Sequence, residues 1–358
     1  MKLNFITKIK NGKNIVFDDK FIVCLSGQKI TLLNRSNFSE IAYFSGLKYT
    51  YDAQISPDGS LLLAKSNQNN LLIYSLDKLV LIKKIPVGSN CTPGDNGFTF
   101  SETGEYFYNI ITREDLCCEL IKYSTETFEP TEVFFRDQRV VINDIVYSKS
   151  AKKYLLNGYE RSANNSENNQ SFILWFDGKS SFERINIDQF IWNLLYAENL
   201  GIFILYEIHG KITLLDDVGR VIKTFSICSS ESKAMNFIDI FTPQTREKLF
   251  SSENQEKLRN MENMLLGSTN IQIENLFSIT LTDSNKILVV SKNIGLTSGC
   301  VEFYEFPEMN KISEYKTKEA LLKTMLMPKK QLCLVSNRSC QIFNYDTVFD
   351  PSVINPVE

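Results

Sequence analysis

One short segment recurs in outline at a nearly fixed spacing, and that spacing limits the fold more than composition does. In Asp52-Ala53-Gln54-Ile55-Ser56-Pro57-Asp58-Gly59-Ser60-Leu61-Leu62-Leu63-Ala64, a short apolar strand runs into a tight turn and a second apolar strand leaves it. Pro suits the i+1 position of such a turn, and Gly tolerates positive φ at its end. A third strand follows at Asn70-Leu71-Leu72-Ile73-Tyr74-Ser75-Leu76. Asp77-Lys78 makes the next turn, and a fourth strand runs from Leu79 to Ile85. Four strands joined by short turns read as one antiparallel meander.

The same order of an apolar residue, a small residue and a polar turn returns along the chain. Its anchors are Ile55, Phe100, Tyr147, Tyr196, Leu281 and Leu326, so successive steps are 45, 47, 49, 85 and 45 residues. The long step is one period plus an insertion between about Ser229 and Asn275. A weaker unit precedes the first anchor, with strands at Asn14 to Asp18, Phe21 to Leu25, Lys29 to Leu33 and Glu40 to Phe44. The last unit shows only three strands, while Leu3 to Ile9 is a spare strand at the other end of the chain. Repeats of this length stack so that each covers its neighbour's apolar face. The sequence therefore predicts an all-β fold, a seven-bladed β-propeller of four-stranded antiparallel blades. The last blade is closed by the N-terminal strand, which removes an open edge. Residues 1–350 form the single propeller domain, with a helical insertion at about 243–267, and 351–358 form a Pro-containing tail.

These residues resemble the WD-repeat and YVTN-type β-propellers. Ile55-Ser56-Pro57-Asp58-Gly59 and Leu71-Leu72-Ile73-Tyr74-Ser75-Leu76 carry the resemblance. The period covers nearly the whole chain, but the motif is strong in one blade. No Gly-His opens a blade and no Trp-Asp closes a third strand, so the His-Asp-Ser-Trp network of WD repeats does not transfer. Asp52, Asp144 and Asn193 each stand three residues before an anchor and are expected to stabilise turns by hydrogen bonding.

Composition narrows function mainly by what it lacks. Of 358 residues 43% are hydrophobic and 23% charged, enough for a substantial core. The net charge of -3 comes with no long basic stretch, which argues against nucleic-acid binding. No run of apolar residues reaches membrane-spanning length, and charges at Lys8, Lys10 and Lys13 interrupt the start, so a soluble cytoplasmic protein is expected. Eight cysteines without a CxxC pair read as buried thiols. The single histidine, His209, excludes multi-histidine metal sites and makes a His-based triad a poor fit. No Gly-rich phosphate loop and no EF-hand run is present. No catalytic residue, metal ligand or cofactor is expected.

Candidate binding residues follow from the meander. The second-to-third turns and the inter-blade connections share one face of the ring and include nearly every long segment. Loops on a rigid scaffold are where binding residues gather. On that face lie Arg136, Arg139 and Arg161, which suit an acidic partner, and the insertion. Thr242-Pro243 is a helix start, and Leu258, Met261 and Leu265 fall on one helical face. A degenerate eighth blade opening at Asp239 is the rival reading of that segment. The sequence thus suggests a non-catalytic scaffold that binds a protein partner, as a monomer or as a subunit of a complex. The alternative is a propeller hydrolase or lactonase with a divalent metal in the central channel, which needs several carboxylates or amides converging there.

Overall fold

The recurrent turn is built around a hydroxyl group. Ser56 Oγ accepts from the Leu61 N–H at 2.9 Å, Ser101 Oγ from the Tyr106 N–H at 3.1 Å, and Thr282 Oγ1 from the Ile287 N–H at 3.1 Å. Three residues later the backbone turns left-handed, at Gly59, Gly104 and Asn285. The N–H there returns to the carbonyl of the same Ser or Thr. A small hydroxyl residue followed by Gly or Asn is the chemistry behind the repeated pattern.

The computed structural model describes residues 3–10, 12, 14–26, 28–45, 50–66, 70–86, 97–113, 115–161, 170–188, 191, 193–207, 209–228, 232–234, 270–272, 274–282, 284–294, 298–336 and 338–345. β1 (Leu3–Lys10) precedes the first repeat. Blade 1 comprises β2 (Asn14–Phe17), β3 (Phe21–Leu25), β4 (Ile30–Asn34) and β5 (Glu40–Phe44). Blade 2 comprises β6 (Thr50–Ile55), β7 (Leu61–Ser66), β8 (Asn70–Ser75) and β9 (Val80–Pro86). Blade 3 comprises β10 (Phe98–Phe100), β11 (Tyr106–Thr112), β12 (Cys118–Ser124) and β13 (Pro130–Asp137). Blade 4 comprises β14 (Val140–Ser148), β15 (Lys153–Glu160), β16 (Gln170–Phe176) and β17 (Phe182–Ile187). Blade 5 comprises β18 (Asn193–Ala197), β19 (Ile202–Tyr206), β20 (Lys211–Leu215) and β21 (Val221–Ser226). A separate two-stranded pair, β22 (Ser232–Ala234) and β23 (Asn270–Gln272), follows. Blade 6 comprises β24 (Glu274–Leu281), β25 (Ile287–Ile294), β26 (Ser298–Glu305) and β27 (Asn310–Thr317). Blade 7 has β28 (Leu321–Met327), β29 (Gln331–Ser336) and β30 (Ser339–Tyr345), with β1 as its outermost strand.

Seven apolar clusters glue seven junctions, and together they close the ring. Blades 1 and 2 share Leu25, Ile30, Leu62 and Leu72, and blades 2 and 3 share Leu63, Ile73 and Phe107. Blades 3 and 4 share Tyr108, Leu120, Tyr154 and Phe176. The series continues with Ile173 and Phe203, then Ile204 and Leu288, then Val301 and Leu334. The seventh cluster joins Ile15 and Cys24 of blade 1 to Cys333 and Ile342 of blade 7. The middle strands bury both faces because neighbouring blades cover them on both sides, while outer strands such as β9 and β21 are largely exposed. β7, for example, is buried from Leu62 to Ser66.

The closing strand is the one the sequence predicts. β1 runs antiparallel to β30, from Leu3 opposite Tyr345 to Lys10 opposite Ser339. The predicted helix at 243–267, the rival eighth blade and the tail at 351–358 lie outside the described residues. What is described is the base of the insertion, where Ser232 pairs with Gln272 and Ala234 with Asn270. Among the described residues there is no helix, and none is long and apolar enough to cross a membrane.

Several third-to-fourth turns place a bulky residue in the left-handed region. Phe38, Leu79, Phe128 and Met309 all have φ between 58° and 65°. That conformation costs such residues on the order of 1 kcal/mol. Phe38, Phe128 and Met309 recover it by packing against blade junctions.

Candidate functional site

The inner strands repeat one position around the channel. Three residues before the six anchors stand Asp52, Gly97, Asp144, Asn193, Ser278 and Lys323, and Asn14 stands three before Phe17 in blade 1. In blades 2, 4, 6 and 7 a β-bulge immediately precedes this position. A bulge bends the strand and re-aims the side chain after it. The Asp52 carboxylate accepts from its neighbour's N–H at Ala53 (3.0 Å), and Asp144 does the same with Ile145 (2.8 Å). These carboxylates therefore hold the bulges of inner strands and not the turns. Gly97 is required by this arrangement, since a side chain there would begin 2.5 Å from Asp144 Oδ1.

Charge within the channel is mixed. Asp144 is open to water, but the surrounding protein still desolvates its carboxyl. Burial, and then the charge of Asp52, push its carboxyl up to about 6, against the pull of the Ile145 N–H, Lys323 and Lys65. Burial also raises the Asp52 carboxyl, opposed first by Lys323 from blade 7. Lys65 is fully buried between blades 2 and 3 and donates to Asn109 Oδ1 and the Ile110 carbonyl, both at 2.9 Å. Because the folded value for Asp144 lies above the ordinary 3.8, ionisation opposes folding. The penalty is complete above about pH 6 and fades as pH falls toward 3.8. Asp144→Asn is expected to raise the melting temperature most at pH 7–8, with the gain shrinking steadily down to pH 4. A gain that grew on acidification would contradict this assignment.

The metal-hydrolase alternative meets a poor donor set. Among the described residues, the group of three metal-ligand side chains that converges is Cys300, Glu302 and Glu314 of blade 6, outside the channel. Glu302 there is already held by Lys311 (2.7 Å), Lys292 (2.9 Å) and the Tyr304 hydroxyl (2.7 Å). Burial alone would raise its carboxyl, but these partners outweigh it and hold it low. Two ammonium groups on one carboxylate occupy the place a cation would take. In the channel itself, Lys323 supplies positive charge opposite the two aspartates.

The described cysteines lie in the interior and His209 at the surface. The seven described cysteines are buried, and none is in a disulfide. Burial, and then Cys340, push the Cys24 thiol up, and a hydrogen bond with Cys340 does so for Cys333. Thiols in such surroundings are inert. His209 lies exposed in a turn closed by the Gly210 N–H on the Glu207 carbonyl at 2.9 Å.

The three candidate arginines come together on one face at the border of blades 3 and 4. Arg161 Nη1 donates to the Leu116 carbonyl at 2.7 Å and to the Gln138 carbonyl at 2.8 Å. One side chain thus ties the β15 end to the β11–β12 turn and to the β13–β14 connection. Arg136 pairs with Glu119 (3.2 Å), a carboxylate it shares with Arg113 (2.7 Å), and Arg139 pairs with Asp137 (3.4 Å). The side chains of Arg136 and Arg139 remain 69% and 83% exposed. Leu116, whose carbonyl Arg161 holds, has φ +64° and is 49% exposed. Leu258, Met261 and Leu265 lie outside the described residues. Sequence reasoning missed Leu116, whose signal is an apolar residue in a tight polar turn. No protein-family profile matches the chain and no curated protein matches it, so its function is read from this geometry alone.

Proposed function

We propose that the protein is a non-catalytic scaffold, its blades WD-repeat-like, that binds an acidic protein segment on the face carrying the long loops. The observation that carries this reading is the double hydrogen bond of Arg161, which pre-assembles three loops from two blades. Pre-assembly lowers the ordering cost of binding. The surface it holds offers two exposed arginines and an exposed leucine, and arginine is enriched where binding energy concentrates. Leu258, Met261 and Leu265 of the insertion, outside the described residues, are proposed as a further apolar contact for the partner. The protein works in the cytoplasm, alone or as one subunit of a complex, without a cofactor or nucleic acid.

Charge reversal tests this. Arg136→Glu/Arg139→Glu is expected to abolish capture of specific partners from the native cell, with the melting temperature changed little. Deletion of 243–267 is expected to remove a subset of the same partners. Identical partner sets from wild type and the double variant would end the reading.

A further inference from the structure

A groove opens on the opposite face, between blades 4 and 5. It encloses about 620 Å3 and is walled by Trp175 of β16 and Tyr196 of β18. The two rings meet edge to face at 5.1 Å and 77°. Both lean on Phe203, at 6.0 and 4.9 Å, so the aromatic wall is fixed from behind. The β20–β21 turn forms the rim. Gly219 has φ +86°, and a Cβ there would fall 2.5 Å from Ile185 Cγ2. Only glycine lets the turn lie against blade 4, and this brings Asp217 and Val218 over the groove.

The charges sort themselves in a way that selects a ligand. Lys153 is occupied by Glu183 at 2.7 Å. Arg184 is occupied by Glu160 (2.5 Å) and Asn186 (2.7 Å), with its guanidinium 4.6 Å from the Phe172 ring. Asp217 is exposed and has no hydrogen bond or ion pair among the described residues. It is close enough to Tyr196 that, after burial, its charge raises the phenol, followed by that of Glu198. The cations of the groove are spent and one anion is free beside two aromatic faces. Val218, 57% exposed, adds an apolar lip.

We propose that this groove binds an arginine side chain presented by an extended basic segment of a partner protein. The guanidinium stacks on Trp175 and Tyr196 and pairs with Asp217, and the neighbouring residue of the segment covers Val218. An anionic ligand would have to compete with the carboxylates that already pair with Lys153 and Arg184. A cation over an aromatic face is attracted by the ring quadrupole, and arginine is the commonest such partner. The site is independent of the arginine surface on the other face.

The test uses the full chain and four short capped peptides, Gly-Arg-Gly, Gly-Lys-Gly, Gly-Gln-Gly and Gly-Glu-Gly, titrated against Trp fluorescence and by NMR. The arginine peptide is expected to bind best and to perturb Trp175. Asp217→Asn is expected to weaken it roughly three- to fivefold, and Trp175→Ala roughly tenfold or more. Asp217→Asn leaves the melting temperature unchanged because that carboxylate holds nothing in the fold. Asp77→Asn, an exposed acid in a turn of blade 2 on the same face, and Arg136→Glu/Arg139→Glu are expected to leave the affinity intact. Equal binding of the glutamate peptide, equal affinity in Asp217→Asn, or equal weakening by Asp77→Asn would overturn the proposal.

Discussion

Removal of residues 1–10 is expected to open the ring and make the chain aggregate. β1 is the outer strand of blade 7, and its loss exposes the full edge of β30. Ile6 and Ile9 pack on the junction of blades 7 and 1, and Leu3 on the junction of blades 6 and 7. Phe5 stands edge to face on Phe343 at 5.7 Å, and Lys8 pairs with Glu319 at 2.6 Å. Three half-buried aliphatic side chains and a strand of ladder bonds together contribute on the order of 5 kcal/mol. That is comparable to the whole stability of an ordinary domain. An exposed edge also recruits other chains. Size-exclusion chromatography and thermal melting of the truncated chain check this, and a synthetic peptide of residues 1–12 is expected to restore part of the loss. A truncated monomer that melts like wild type would show that β1 is dispensable.

Phe176→Ala is expected to cost about 3–5 kcal/mol, the usual range for a large aromatic removed from a packed interior. Phe176 is 0% exposed at the centre of the cluster between blades 3 and 4. It stacks on Phe182 at 4.6 Å and touches Phe134 at 4.9 Å, Tyr154 at 5.7 Å and Tyr108 at 5.8 Å. Tyr108 also donates to the Gly178 carbonyl at 3.2 Å, so a collapse there would break a polar contact too. The surrounding rings belong to two different blades, which limits how far the void can close. Urea unfolding measures the loss, with exposed Val221→Ala as a control expected to change stability by less than about 0.5 kcal/mol. A loss below about 1 kcal/mol in Phe176→Ala would mean that the junction repacks freely.

The ring was legible because its grammar is local. An apolar anchor, a hydroxyl residue and a residue tolerant of positive φ are near neighbours in sequence, so Ser56 with Gly59 and Ser101 with Gly104 betray their turns. The strands of blade 1 emerge close to where periodicity puts them, from Asn14–Phe17 to Glu40–Phe44. The third-to-fourth turns were harder, because Phe38, Phe128 and Met309 hold a conformation that sequence rules reserve for Gly or Asn. Their packing against other blades overrides local preference. Asp52, Asp144 and Asn193 were visible at one offset from the anchors, but Gly97 and Lys323 at the same offset speak through neighbours that only the closed ring supplies. The part of Arg161 is wholly non-local, since it bonds carbonyls 45 and 23 residues away. The groove joins Trp175, Tyr196 and Asp217 from three strands or turns of two blades, and no window of sequence contains all three.

The pairing of Leu3 with Tyr345 also sets a clock on biogenesis. β1 is synthesised more than 300 residues before its mate, β30. At roughly 5–20 residues per second that wait lasts tens of seconds. Throughout it the earliest blades can assemble in order while β1 trails unmatched, its Phe5 and Ile6 offered to any passing surface. A nascent chain of this design is a natural client for holdase chaperones until the final blade arrives.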